Sequence, residues 1–121
     1  MGLRTTIFGN NREKNANFNW NELEDIKQLD DLIELSKSKK VAIFKHSTRC
    51  GISRAVKKAF EKQFKDIDAV FYYLDLLKHR DISNEIALRF NVQHQSPQLL
   101  VLKDGKVIKN DSHYNLLDIE I

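Results

Sequence analysis

Apolar and polar residues follow helical and then strand-like spacing through the first half of the chain. From Trp20 to about Ser38, apolar residues recur every three or four positions, and Asn21 followed by Glu24 resembles a capping box. This pattern predicts a helix that begins near the start of that stretch. Residues 41–45, VAIFK, form a short and mostly apolar run, which is typical of a strand covered on both faces of its sheet.

The second half of the chain repeats this alternation and ends in a hairpin. Four apolar residues at four-residue steps follow Cys50 and predict a helix that begins at or just after it. They are Ile52, Val56, Phe60 and Phe64. Residues 69–76 are rich in β-branched and aromatic side chains, which favours a strand, and the spacing behind Asp81 favours a third helix. Residues 98–110 hold two strand-like runs around an Asp-Gly pair, the strongest short signal for a β-hairpin.

The order helix, strand, helix, strand, helix, hairpin predicts the fold class. Helices that alternate with strands call for parallel pairing, and the hairpin adds antiparallel strands, so we expect a three-layer α/β/α sandwich with a mixed sheet. Residues 1–19 contain five asparagines and scattered charges, and we interpret them as a flexible or loosely docked leader to a domain at 20–121. After the hairpin, only residues 111–121 remain to cover that face of the sheet.

Composition narrows the classes of protein that this chain can be. Its 20 basic and 17 acidic residues are mixed along the chain and give a net charge of +3, without the basic stripe and interleaved aromatic residues of a nucleic-acid-binding surface. No apolar run approaches the roughly 20 residues that span a bilayer, and no secretory signal opens the sequence. Since a single cysteine cannot form an internal disulfide, we expect a reduced, cytoplasmic protein that binds neither membrane nor nucleic acid.

The only cysteine, Cys50, lies in the segment HSTRCGIS, where the first strand of the hydrophobic pattern gives way to a helix. A lone cysteine is most often a small buried residue without chemistry, and that interpretation stays open here. A helix N-terminus and the neighbouring Arg49, however, both favour the thiolate over the thiol, and the thiolate is the form that attacks disulfides. Ser53, one turn into the helix, is placed to donate a hydrogen bond to the sulfur.

The only proline, Pro97, follows Ser96 and immediately precedes the first strand of the hairpin. A proline at this place often opens a strand, because it lacks the N–H that would pair with a neighbouring strand. The alternative is a cis peptide bond, which is found in only ~5–6% of X-Pro bonds in folded proteins. The residue alone does not decide between the two.

Three stretches of the chain together resemble the YtxJ-type monothiol bacilliredoxins of the thioredoxin-like superfamily. They are FKHSTRCGIS, LDLLKHRDISNEIALRFNVQHQSPQLLVLKDGKVI and the late Ser-His pair at 112–113, and the resemblance covers roughly residues 20 to 116. It implies a thioredoxin-like fold with a truncated C-terminal helix, a nucleophilic Cys50, and a cis Pro97 that faces this cysteine. Ser53 takes the place of the resolving cysteine of dithiol relatives, and Phe44 stands where thioredoxins carry a buried acid.

The resemblance also implies a reaction and its participants. Cys50 would attack a mixed disulfide between a protein and a low-molecular-weight thiol, take the small thiol and release the protein thiol. The small thiol would be bacillithiol, acting as a co-substrate without any tightly bound cofactor, and a second small thiol or a thiol reductase would regenerate Cys50. We expect four residues near the two motifs to contact the small thiol or the S-thiolated protein. They are Lys45, Arg49, His94 and Ser96.

Three other interpretations stay open. A glutaredoxin-like enzyme that removes glutathione would share the chemistry of the bacilliredoxins. A metal site would combine Cys50 with the four histidines, but these lack the compact spacing of zinc ligands, and we expect no metal. The histidines are His46, His79, His94 and His113. A redox-inert thioredoxin-like interaction module would use Cys50 only as a structural residue.

Overall fold

The structure is a computed structural model that describes residues 18–121, and these residues form a sheet flanked by helices. The strands are β1 (Trp20–Glu22), β2 (Val41–His46), β3 (Val70–Asp75), β4 (Gln98–Lys103) and β5 (Lys106–Ser112). The α-helices are α1 (Lys27–Leu35), α2 (Gly51–Phe64) and α3 (Arg80–Phe90), and a 3-10 helix covers His113–Asp118.

The sheet is mixed and has the strand order β1-β3-β2-β4-β5. Strands β1 and β2 pair parallel with β3, whereas β4 is antiparallel to β2, and β5 is antiparallel to β4. Buried side chains of α2 and of the 3-10 helix pack on one face, called the α2 face below, and those of α1 and α3 pack on the other, called the α3 face. The prediction of a three-layer α/β/α sandwich with a mixed sheet is therefore confirmed.

Strand β2 lies in the middle of the sheet, and all six of its residues are buried. Because side chains alternate along a strand, Ala42 and Phe44 pack on the α2 face, whereas Ile43 packs on the α3 face. The same alternation takes Lys45 to the α3 face, where it contacts α3, and His46 to the α2 face, where it contacts α2. The last two residues of the strand thus point to opposite sides of the sheet.

The first helix begins later than its sequence pattern indicates. Residues 20–22 form β1, and α1 begins only at Lys27. The Asn21 side chain does not cap a helix but donates a hydrogen bond to a backbone carbonyl of β3 at 3.2 Å. The N–H groups of residues 24–25 donate to Oε1 of Gln28 at 2.6 and 2.9 Å. The predicted helix start was wrong because residues 20–22 pair with β3 instead. The spacing of apolar residues along the sequence does not reveal such pairing.

The hairpin between β4 and β5 turns at Asp104 and Gly105, as predicted. Both residues have positive φ angles, 54° and 78°, which fit a two-residue type I′ turn. The turn is attached to the end of α1, because the N–H of Asp104 donates to the Ser36 carbonyl and the N–H of Gly105 donates to Oγ of Ser36, each at 2.8 Å. This end of the sheet is opposite the end at which β2 leads into α2.

The C-terminal segment covers the α2 face with a 3-10 helix where thioredoxins carry a full final α-helix. Leu116 is fully buried in the cluster on that face. Nε2 of Gln63, on α2, donates to the Leu117 carbonyl at 2.6 Å and fastens the segment to the helix. The truncated C-terminal helix implied by the resemblance is therefore present, and it completes the cover of the α2 face.

Of the predicted leader at 1–19, only residues 18 and 19 are among the residues that the structure describes. The boundary between this leader and a domain at 20–121 therefore stays a prediction. Phe18 is buried, and its ring lies 4.9 Å from that of Phe71 between centroids. Within residues 18–121, no helix is long and apolar enough to cross a bilayer.

Candidate active site

Cys50 occupies the N-cap position of α2, at the end of a tight loop that follows β2. Its backbone is extended, with φ −98° and ψ 121°, and its N–H donates to the Ser47 carbonyl at 3.2 Å. Its carbonyl accepts the first helical hydrogen bond, from the N–H of Arg54 at 3.0 Å. The thiol is free and partly exposed. The prediction of a helix that begins at or just after Cys50 is confirmed, and the thiol lies at the positive end of that helix.

Ser53 lies one turn into α2 and is fully buried. Its Oγ is 2.8 Å from Nδ1 of His46 and accepts the N–H of Ser47 at 3.1 Å. Among the residues that the structure describes, no hydrogen bond joins this hydroxyl to the sulfur of Cys50, so the predicted Ser53–Cys50 hydrogen bond is not formed. The reason is that the loop before α2 brings a backbone donor and an imidazole nitrogen to the same oxygen.

Basic residues outnumber acidic ones from the loop before α2 to the middle of that helix. Arg49, next to the cysteine, is exposed, and Arg54, Lys57 and Lys58 follow before the first acidic residue of the helix. That acid, Glu61, pairs with Lys57 at 2.8 Å. Arg49, next to Cys50, and Arg54, one turn into the helix, are the positive charges nearest to Cys50 along the chain, and they can attract a negatively charged group.

Lys45, predicted as a substrate contact, does not reach the surface beside Cys50. It is fully buried on the α3 face, and its Nζ donates to the Ser83 carbonyl at 3.4 Å. Burial lowers the pKa of Lys45 from 10.5 to about 8. Its sequence distance from the cysteine suggested a contact, but strand alternation directs the side chain to the other side of the sheet.

His94 lies near Lys45 rather than on the α2 face. Its Nδ1 is 3.2 Å from Oγ of Ser83, and its ring is exposed in the loop before β4. Burial of one side of the ring lowers the pKa of His94, and the positive charges of Lys45 and Arg80 lower it further. The structure therefore brings two predicted contact residues together with each other, and it shows no contact between them and Cys50.

Ser96 and Pro97 precede β4, and the peptide bond between them is cis. Pro97 is buried, and its carbonyl accepts the N–H of His113 at 2.9 Å. The register pairs Lys45 with Gln98, which places Pro97 at the same end of the sheet as the Cys50 loop. A direct contact between Pro97 and the sulfur stays a prediction.

Ser96 stands out because its hydroxyl oxygen is buried and has no hydrogen-bond partner within the described part of the chain. A buried hydroxyl without a partner is unfavourable unless another molecule supplies one. The predicted role of Ser96 in binding substrate stays a prediction.

His46 is a site residue that sequence reasoning considered only as a metal ligand. The ring is nearly buried, and burial lowers the pKa of His46, as does the nearby charge of Lys57. Counting side-chain alternation from Phe44 would have placed His46 on the same face as α2, which is the signal that was missed. Within residues 18–121, histidine, cysteine and acidic side chains form no group of three that could hold a metal ion.

Comparisons with known proteins agree with this geometry. The model of the family described as monothiol bacilliredoxin BrxC matches residues 21–121. A solved structure described as a proposed oxidoreductase with a thioredoxin fold is 34% identical, with a TM-score of 0.72, and the match covers 79% of this chain and 84% of that one. The family and this neighbour support a role as a thiol oxidoreductase.

Thioredoxins of two flatworms share the fold. The Schistosoma mansoni thioredoxin pre-protein is 23% identical with a TM-score of 0.65, and 82% of this chain and 90% of that one are covered. The Fasciola hepatica thioredoxin is also 23% identical, with a TM-score of 0.63 and coverage of 78% and 86%. At this level of identity, the similarity shows the fold alone.

Proposed function

We propose that this chain, which belongs to the monothiol bacilliredoxin family, removes a low-molecular-weight thiol from mixed disulfides on proteins. The Cys50 thiolate attacks the sulfur that comes from the small thiol, the S–S bond between that sulfur and the protein sulfur breaks, and the protein thiolate leaves and takes a proton from water. Cys50 now carries the small thiol as a mixed disulfide. A second small thiol then attacks the small-thiol sulfur of that disulfide, which frees Cys50 and releases a small-molecule disulfide.

The observation that carries this proposal is the position of the only cysteine in the chain. Cys50 lies partly exposed at the N-cap of α2, and the residue one helical turn later is Ser53 instead of a second cysteine. Without a second thiol, the protein cannot close an internal disulfide, so each turnover must pass through a mixed disulfide and end with an external thiol. This requirement favours small-thiol exchange over the dithiol reduction performed by thioredoxins.

Bacillithiol is our proposed small thiol, and S-bacillithiolated proteins are the proposed substrates. The family gives the first reason. The second is charge, because bacillithiol bears carboxylates, and Arg49, next to Cys50, and Arg54, one turn into α2, carry positive charge. The proposal includes a reduced, cytoplasmic setting and a thiol reductase that recycles the small-molecule disulfide.

Mass spectrometry of the intact protein tests the reaction. The protein is mixed with a model substrate that carries bacillithiol, and in parallel with the same substrate that carries glutathione. We expect one bacillithiol adduct on the wild-type chain, release of the substrate thiol, and no adduct on Cys50→Ser. Equal rates with glutathione would favour the glutaredoxin-like alternative, and an unreactive Cys50 would favour the redox-inert module.

Arg49 offers a sharper test of how the small thiol is recognised. Removing one exposed positive charge next to the thiol, in Arg49→Ala, should slow transfer from the bacillithiolated substrate by about twofold to fivefold, and salt should reduce the difference. The matched control is Lys103→Ala, an exposed lysine at the far end of β4. Equal slowing in both variants would exclude a local role for Arg49.

A further inference from the structure

Arg54 is bonded to the Cys50 loop through both its backbone and its side chain. Its N–H donates to the Cys50 carbonyl at 3.0 Å, and its Nη1 donates to the Thr48 carbonyl at 3.1 Å. These two acceptors lie on either side of Arg49 in the sequence. The guanidinium group of Arg54 is therefore held against the loop that carries the thiol.

The same guanidinium group lies close to Gly51, the residue that follows Cys50. A Cβ atom built on Gly51 would lie 3.9 Å from Nη2 of Arg54. Apart from the chain neighbours of Gly51 and the backbone of its own helix, no other atom of the described residues lies within 4 Å of that position. Because glycine has no side chain, a space stays open between this residue and the guanidinium group.

The guanidinium group of Arg54 keeps most of its hydrogen-bonding capacity. It presents a planar set of N–H donors that matches the two oxygens of a carboxylate, and the Thr48 carbonyl takes only one of these donors. Within residues 18–121, no carboxylate pairs with Arg54, and the residue is exposed. The other N–H groups are thus available to a ligand that bears a carboxylate.

Arg49 differs from Arg54 in how its side chain is held. Both residues are exposed, but in the described part of the chain only the Arg54 side chain is fixed by a hydrogen bond. A free side chain loses conformational entropy when it binds a ligand, whereas a side chain that is already held loses less. Arg54 is therefore the better prepared of the two to bind a group in one defined position.

The small thiol brings its carboxylates close to this group during the proposed reaction. The carboxylates of bacillithiol belong to its malate part, away from its sulfur. Once that sulfur is bonded to Cys50, the sugar and the malate stay near the loop, so even a weak pair between carboxylate and guanidinium has a high effective concentration. The place of Arg54 beside the Cys50 loop suits the charged end of the small thiol.

We propose that Arg54 binds a carboxylate of the small thiol in the open space next to Gly51, and that it sets the preference of the protein for small thiols that bear one. The inference deepens the proposed function and rests on its assignment of Cys50 as the reacting residue. Arg54 takes no part in breaking or forming the S–S bonds. It is a specificity-determining residue, since it binds the end of the small thiol that does not react.

Two mixed disulfides of one model peptide test this role. One carries bacillithiol, and the other carries cysteinyl-glucosamine, which has the same thiol and sugar but lacks the malate and its carboxylates. Mass spectrometry of the intact protein measures the rate at which Cys50 takes up each small thiol. In Arg54→Gln, the rate with bacillithiol should fall by about threefold to tenfold, and the rate with cysteinyl-glucosamine should change by less than about twofold.

Two further variants separate geometry from charge. Lys58→Gln removes an exposed positive charge one turn further along α2, and it should change either rate by less than about twofold. Arg54→Lys keeps the charge but not the planar set of donors, so it should restore only part of the rate that Arg54→Gln loses with bacillithiol. Full restoration by lysine would show that charge alone is recognised, and the binding geometry proposed for Arg54 would be wrong.

An equal fall of both rates in Arg54→Gln would overturn the proposal, because the variant would then disturb the Cys50 loop instead of removing a contact to a carboxylate. An unchanged rate with bacillithiol would overturn it as well. The ratio of the two rates within one variant cancels any change in the intrinsic reactivity of Cys50, which alkylation by iodoacetamide reports separately.

NMR of the full chain with 15N-labelled arginine gives a second readout that does not depend on rates. The Nε–H signal of Arg54 is compared between the Cys50 adducts of the two small thiols. We expect this signal to differ between the adducts, whereas Arg89, which pairs with Asp30 and Glu85, should give the same signal in both. Identical Arg54 signals in the two adducts would contradict the proposal.

Failure of this inference is distinguishable from failure of the proposed function. If Cys50 takes up both small thiols and Arg54→Gln behaves like the wild type, the exchange reaction stands and the role of Arg54 is wrong. If Cys50 takes up neither, the proposed function fails and the inference falls with it. Glutathione also bears carboxylates, so a preference for glutathione would change the small thiol but would still require the loss of rate in Arg54→Gln.

Discussion

Each face of the sheet carries a buried serine paired with a histidine, yet only one of the pairs lies next to the loop that carries Cys50. On the α2 face, Ser53 contacts the buried His46 at 2.8 Å. On the α3 face, Ser83 contacts the exposed His94 at 3.2 Å, and its carbonyl accepts a hydrogen bond from Lys45. Burial is the largest cause of the lowered pKa of both histidines.

The difference lies in what surrounds each pair. Aromatic rings fill the α2 face and hold His46 away from solvent, whereas aliphatic side chains fill the α3 face and leave His94 at the surface. An exposed histidine can exchange its serine partner for water, but a buried one cannot. The same two residue types therefore form a rigid support on one face and a replaceable contact on the other.

Removing an aromatic ring from the α2 face tests whether its packing is rigid. Phe60 is fully buried and stacks on Phe64 at a centroid distance of 4.5 Å. Phe60→Ala should lower the free energy of unfolding by about 3–5 kcal/mol, because it leaves a cavity among packed rings. Urea unfolding measures the loss. Leu88→Ala, at a side chain that is 78% exposed on α3, is the control and should change it by less than about 0.5 kcal/mol.

A loss of only about 1 kcal/mol in Phe60→Ala would mean that the neighbouring rings collapse into the space. The α2 face would then be a deformable layer, and its rigid support of His46 would not hold. Near-ultraviolet circular dichroism, which reports on packed aromatic residues, separates such a collapse from an unchanged core.

The sequence alone predicted most of the fold, because the relevant signals are local. The apolar run of β2, the four-residue stripe of α2 and the Asp-Gly turn each specify an element within a few residues. Strand β1 was missed because it has only three residues and depends on pairing with β3, some fifty positions away along the chain. Such distant pairing leaves no periodic trace in a short segment.

The site was predicted less completely, because the direction of a side chain depends on its element. The position of Cys50 follows from the change from strand to helix, which is a local signal. Lys45 and His46 are neighbours in sequence, yet alternation along β2 sends them to opposite faces. The hydrogen bonds of Ser53 depend on the exact path of the loop after β2, which residue types alone do not specify.

The second prediction concerns Lys45, which the α3 face buries without a carboxylate partner among its described contacts. In the unfolded chain, this lysine keeps its proton up to about pH 10.5, whereas the folded chain releases it near a pKa of about 8. Between these values the unfolded state binds more protons, so rising pH stabilises the fold. This contribution to stability is fully present above the pKa of the unfolded chain, 10.5, and it is lost as the pH falls from there to about 8. It amounts to roughly 3 kcal/mol.

Lys45→Met should therefore be more stable than the wild type at pH 7, and the difference in unfolding free energy should shrink as pH rises from 8 to 10. The methionine fills a similar volume without a charge to desolvate. Lys103→Met, at an exposed lysine, is the matched control and should show no such convergence. Parallel pH dependence of Lys45→Met and the wild type would show that the buried lysine is not the group responsible.

The smallest expected losses of stability come from removing the hydroxyl of either serine, and they compare the two pairs directly. Ser53→Ala removes the acceptor of the partly buried Ser47 N–H and the partner of the buried His46, so it should lower the unfolding free energy by about 1–3 kcal/mol. Ser83→Ala removes only a contact to the exposed His94, which water replaces, and it keeps the carbonyl that binds Lys45. It should cost less than about 1 kcal/mol. Equal losses of unfolding free energy, measured in urea, would mean that burial of the histidine does not make the Ser53 pair more important for stability than the Ser83 pair. The difference inferred between the two faces would then be wrong.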